Sequence, residues 1–169
     1  MQAILTIWRD PVLRMIGLAT MMFGVFAASF EPYKSLLGIT VFGLSDSAYA
    51  AVLAASLLVS VAASVGVGIL TDQTPCRRIM ALLAVAGICC AMALVWLGDT
   101  TAAFVMAHMV LLPIAATIMG QLFAITRLYT DGKPEAERDG VTSVVRALFA
   151  VPFVIVLPAW GLLFDAGLP

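Results

Sequence analysis

Few side chains in this sequence could do chemistry, and they stand apart from one another. Glu31 follows an apolar run and precedes Pro32, and Thr117 and Gln121 lie one helical turn apart within another such run. A carboxylate inside a membrane is costly and usually marks the path of an ion or a solute. A sheltered one can take up and release a proton, which makes Glu31 a candidate proton carrier. If the first helix instead ends near Phe30, Glu31 is simply part of its outer cap. A glutamine amide and a threonine hydroxyl can hydrogen-bond a polar solute or a neighbouring helix, and both readings stand for Gln121 and Thr117. His108 is the only histidine, and one imidazole cannot make a metal site. Cys76, Cys89 and Cys90 have no CxxC spacing and read as small apolar residues in or beside membrane helices. A membrane enzyme needs a cluster of His, Cys, Asp or Glu at one depth. The sequence offers scattered singles, so it reads as a protein that is not an enzyme and carries no cofactor or metal.

The elements that must position these residues are set by composition. The chain has 169 residues, of which 63% are hydrophobic and only 11% charged, with a mean hydropathy of +1.09. A soluble domain carries about a quarter charged residues, so an all-α polytopic membrane protein is expected. A net charge of -1 gives no reason to expect a nucleic-acid partner. A bilayer core of about 30 Å needs about 20 apolar residues in a helix. Five stretches qualify, at about 12–30, 47–70, 79–97, 101–125 and 144–164. For the first, a continuation past Pro32 is the alternative bound, and Pro113 is expected to bend the fourth. Residues 1–11 form a short cytoplasmic or interfacial start rather than a signal peptide, because their charges follow the first apolar patch. Residues 71–78 and 126–143 are expected as loops, the latter with one helical turn at "PEAER". With five crossings, Arg9, Arg14, Arg77, Arg78, Arg127, Lys133, Arg138 and Arg146 fall on one side and only Lys34 on the other. Cytoplasmic loops carry the excess of Lys and Arg, so the amino terminus and both loops are placed in the cytoplasm.

Two spacings point to helix contacts. Ser56, Ser60, Ser64, Gly68 and Asp72 recur every four residues along the second stretch. Small residues in such a row let two membrane helices approach closely, which would put Asp72 at the cytoplasmic end of a contact. Gly17, Gly24, Glu31 and Gly38 recur every seven, nearly on one helix face, and the glycines suggest a face turned to protein.

The stretch "GILTDQTPCRR", from Gly68 to Arg78, resembles the signature loop between the second and third helices of the major facilitator superfamily. It matches that pattern at Gly68, Leu70, Asp72 and the basic pair Arg77 and Arg78, and departs from it at Gln73 and Pro75. A longer stretch resembles the fourth-to-fifth-helix segment of the sugar efflux transporters within that superfamily, at Gln121, Phe123, Ala124, Arg127, Ser143, Arg146, Ala147 and Pro158. The resemblance covers residues from about 12 to the end. It implies five of the twelve helices of a transporter whose halves are six-helix bundles built from inverted repeats, so that 12–169 is a partial amino-terminal half. The implied function is export of a small polar solute, sugar being expected, by proton-coupled alternating access in a bacterial inner membrane. The implied partners are lipid, the solute, protons and a carboxy-terminal half. Gly68, Asp72, Arg77 and Arg78 would then act as a conformational switch. Arg127 and Arg146 would serve at a cytoplasmic gate, or else as snorkelling anchors. Trp160 would stack on a sugar ring or belong to the interfacial aromatic belt. The alternatives are a drug or metabolite exporter of the same superfamily, or a non-transporting five-helix protein that binds a partner through the serine ridge.

Overall fold

The computed structural model describes residues 2–167, so Met1, Leu168 and Pro169, which fall within the expected stretches 1–11 and 12–169, lie outside the described residues. Every described element is helical. Five helical spans are long and apolar enough to cross a membrane: Pro11–Phe30, Asp46–Gln73, Arg77–Gly98, Thr101–Tyr129 and Glu135–Asp165. The chain divides into two compact units, one of residues 1–33 and 123–169, the other of residues 34–122.

The first unit is built on three helices, α1 (Gln2–Arg9), α2 (Pro11–Phe30) and α9 (Glu135–Asp165). Asp10 separates α1 from α2. Its carboxylate accepts from the N–H groups of Val12 (2.9 Å) and Leu13 (3.1 Å), and Pro11 needs no partner at the first helical position. A Cβ on Gly17 would come within 3.0 Å of Leu148, and one on Gly24 would collide with the carbonyl oxygen of Phe149. Tyr33 meets Phe164 edge-on at 5.4 Å. Contacts thus advance together along both helices, so α2 and α9 run parallel, as two odd-numbered spans must. The expected protein-facing side of the first span is present at Gly17, against the side chains of Leu148 and Ile7, and at Gly24, against the α9 backbone.

The second unit begins with α3 (Lys34–Leu36) and a π-helical turn, Leu37–Val41. Ser45 caps the long α4 (Asp46–Gln73) by accepting from Ala48 N–H at 3.2 Å. A short turn leads to α5 (Arg77–Gly98), which ends on Asp99 in the left-handed region, a conformation Asp tolerates. The fourth span is broken into α6 (Thr101–Met106), a π-helical turn at Ala107–Leu111, α7 (Leu112–Ala115) and α8 (Ile118–Tyr129). Pro113 explains the first break. It has no N–H to offer Met109, and the preceding turn widens so that Leu112 N–H reaches Ala107 O. The expected bend is therefore a π-turn followed by a second interruption at Ala116 and Thr117. α8 crosses from this unit into the first.

Three expectations are corrected. Residues 126–143 are not one long loop: helix continues to Tyr129 and resumes at Glu135, leaving a turn at 130–134. Polar residues there misled because a helix projecting beyond lipid can be polar and still satisfy its own backbone. Residues 71–78 likewise shrink to a turn at 74–76, with Asp72 in the last turn of α4 and Arg77 and Arg78 opening α5. The first span does not continue past Pro32, because α2 ends at Phe30 and a turn precedes α3.

Candidate functional site

The turn between α4 and α5 is held by one arginine. Arg77 Nη2 donates to Asp72 Oδ1 at 2.5 Å and its Nη1 to Thr71 Oγ1 at 3.3 Å. Thr71 is buried, and its hydroxyl donates back to Val67 O at 2.8 Å. Arg77 thus ties the start of α5 to the last turn of α4. The Asp72 side chain remains 73% exposed, so the pair can open at low cost. Arg78 points outward. Along α4, Ser64 is exposed, Ser56, Ser60 and Gly68 are half-buried, and a Cβ on Gly68 would meet nothing within 4 Å. The small-residue ridge is partly exposed among the described residues.

Apart from Thr71, the buried polar side chains described in the second unit lie on the fourth span. His108 is buried and packs on Phe104 at 3.9 Å, with Nδ1 3.0 Å from the Phe104 carbonyl. Thr117 is buried and donates to Ile114 O at 2.8 Å across the second break. Gln121, one turn on, is only 4% exposed, and its Oε1 is buried without a hydrogen-bond partner. An amide oxygen in that state costs about 1–3 kcal/mol. The structure therefore brings Thr117 and Gln121 together at a helix break, with one strong acceptor left open.

In the first unit Glu31 is the C-cap residue of α2 and is exposed, its backbone N–H donating to Ala27 O. The glycine face is interrupted there because the helix ends one residue earlier. Trp160 stacks on Phe164 at 5.7 Å. Arg127 is exposed near the end of α8, and Arg146 lies over the Phe123 ring at 5.4 Å, a cation–π contact. Lys133 in the intervening turn donates to Glu137 at 2.7 Å, and that bond holds its ammonium above the usual lysine range. No group of three or more potential metal-binding residues forms among the described residues.

A model of the Major Facilitator Superfamily matches residues 1–166. The chain belongs to that family. It is accordingly a multi-pass membrane protein of a solute-transporting superfamily. No curated protein and no solved structure matches it significantly.

Sequence reasoning about this superfamily member missed Thr71, which shares Arg77 with Asp72, and it missed the ring beneath Arg146. Thr71 could have been found, because a threonine in the last turn of a membrane helix commonly bonds back to the preceding turn. The Phe123–Arg146 pair leaves no local signal, since 23 positions and a turn separate its members.

Proposed function

We propose that the chain forms one wall of an exporter for a small polar solute, with sugar as the substrate class, working by proton-coupled alternating access in a bacterial inner membrane. The observation that carries this reading is the buried, unpartnered Oε1 of Gln121, one turn from Thr117 at a break in the fourth span. Transporter sites commonly lie at discontinuous helices near mid-membrane. An acceptor kept dry there suits the hydroxyl donor of a sugar. Trp160 offers a ring face on which a sugar can stack. Glu31, the exposed C-cap of α2, carries the coupled proton once a second half shelters it. Arg127 and Arg146 belong to the cytoplasmic gate, and the pair of Asp72 and Arg77 opens and closes with the cycle. A second transporter half covers the ridge from Ser56 to Asp72.

The test is uptake of radiolabelled sugar by inside-out vesicles that contain the complete carrier, under an imposed proton gradient. Gradient-driven uptake is expected, together with its loss in Gln121→Leu. In Glu31→Gln, sugar exchange is expected to persist while the gradient no longer drives accumulation. Absence of sugar uptake in vesicles that still export another solute class overturns the sugar assignment. Full gradient coupling in Glu31→Gln overturns the proton role. A second reading, export of flat apolar compounds, is favoured by the half-buried stack of Phe23, Phe149 and Phe153, with ring centroids 5.8 and 5.5 Å apart.

A further inference from the structure

We propose that α1, with the flanks of α2 and α9 beside it, seats an anionic phospholipid of the surrounding bilayer. A helix of eight residues is not stable alone, so α1 must be held by docking. Ile7 does this and is 2% exposed. Ile4 and Trp8 share its face at helical spacing, yet both stay exposed, Trp8 at 54%. They overhang two open grooves, one on each side of Ile7.

The first is a shallow dent of about 20 Å³ between Trp8, Arg14, Gly17 and Leu148. The second is larger, about 230 Å³, between Ile4, Trp8, Val144, Leu148 and Val151. Apart from Arg14, the side chains around both grooves are apolar. A peptide laid there would leave its backbone polar groups unmatched, and a polar solute would lose its hydration without return. An acyl chain has no polar group to satisfy.

Charge identifies the other end of the occupant. Arg14 lines the first groove, and Arg9 follows Trp8 at the end of α1. Both are exposed, and neither has an ion-pair partner among the described residues. The nearby Asp10 carboxylate is engaged by the first N–H groups of α2. Two guanidiniums without an ion-pair partner among the described residues, beside apolar grooves, match a lipid whose phosphate headgroup keeps its negative charge, since anionic lipids gather at such basic juxtamembrane sites. The apolar stems of the arginines can lie along the groove while their heads reach the interface.

The test uses the full chain with Trp96→Phe and Trp160→Phe, which leaves Trp8 as its only tryptophan. It is reconstituted in phosphatidylcholine vesicles containing a small equal fraction of either brominated phosphatidylglycerol or brominated phosphatidylcholine, and Trp8 fluorescence is read. The brominated anionic lipid is expected to quench Trp8 as if locally enriched about tenfold. The excess is expected to vanish in Arg9→Gln/Arg14→Gln. It should also fall in Val151→Phe, which fills the second groove and keeps both charges. Circular dichroism checks that each variant keeps its helix content. Equal quenching by the two lipids, or an excess that survives the double substitution, overturns the proposal and leaves ordinary bilayer contact.

Discussion

The second and fourth spans are 28 and 29 residues long and both strongly apolar, yet 6% of the apolar window of one is buried and 44% of the other. The difference lies in their polar and irregular residues. The second span is an unbroken helix without proline, and its serines lie in a partly exposed row. The fourth carries His108, Pro113, Thr117 and Gln121 and breaks twice around them. In water, apolar residues mark the inside. In a bilayer, lipid is as apolar as leucine, so apolarity says little about which helix lies at the centre. Buried polar groups and backbone irregularity say more, because lipid cannot satisfy them and protein can.

The largest test of this contrast is a pair of truncations. Phe104 is fully buried, stacked on Phe42 at 4.8 Å and on His108. Leu58, on the second span, is 74% exposed. Phe104→Ala should lower stability by an amount near the low end of about 3–5 kcal/mol, since the cavity remains even where transfer from water does not apply. Leu58→Ala should change it by less than about 0.5 kcal/mol. Unfolding titrations in mixed micelles measure both, and equal losses would erase the distinction between the two spans.

Much of this was legible in the sequence. The apolar runs around Val12 and Ser47 fall within a residue or so of the observed helix starts, because span length is fixed by bilayer thickness. The turn at 74–76 falls inside the expected loop, with Arg77 and Arg78 just beyond it at the start of α5. The segment 126–143 was misjudged because hydropathy marks where lipid ends and not where helix ends, so Arg138 and Thr142 read as loop while they extend α9. The π-turn before Pro113 was legible only as a bend, since the proline announces a missing N–H but not how the neighbouring carbonyls rearrange. The burial of Gln121 could not be read at all, because helix spacing alone does not show which side of a polar residue meets protein.

Gln121→Met gives a smaller effect with a more telling sign. Methionine has nearly the same reach and no acceptor to satisfy. If Oε1 is held open for a ligand, the variant should be more stable than the parent by about 1 kcal/mol, since an unmet buried acceptor costs about 1–3 kcal/mol. Transport by the complete carrier should fall at the same time. A stability loss with normal transport would make Gln121 a structural residue and remove the functional half of the contrast between the spans.

The smallest stability effect is expected at the Asp72 end of the second span. Asp72 pairs with Arg77, but its side chain is largely exposed, and exposed pairs contribute from about 0 to 1 kcal/mol. Asp72→Asn should therefore leave unfolding nearly unchanged, while Arg77 keeps its hold on Thr71. Its effect should appear in motion instead. Spin labels placed across the turn at 74–76 should report a shifted balance between states, and the rate of solute exchange should drop. If Asp72→Asn destabilises the chain by several kcal/mol, the pair is a structural clamp. If it alters neither stability nor exchange, the exposed end of the second span serves only to place positive charge in the cytoplasm. Either result would move the functional weight from the uncovered helix to the buried, broken one.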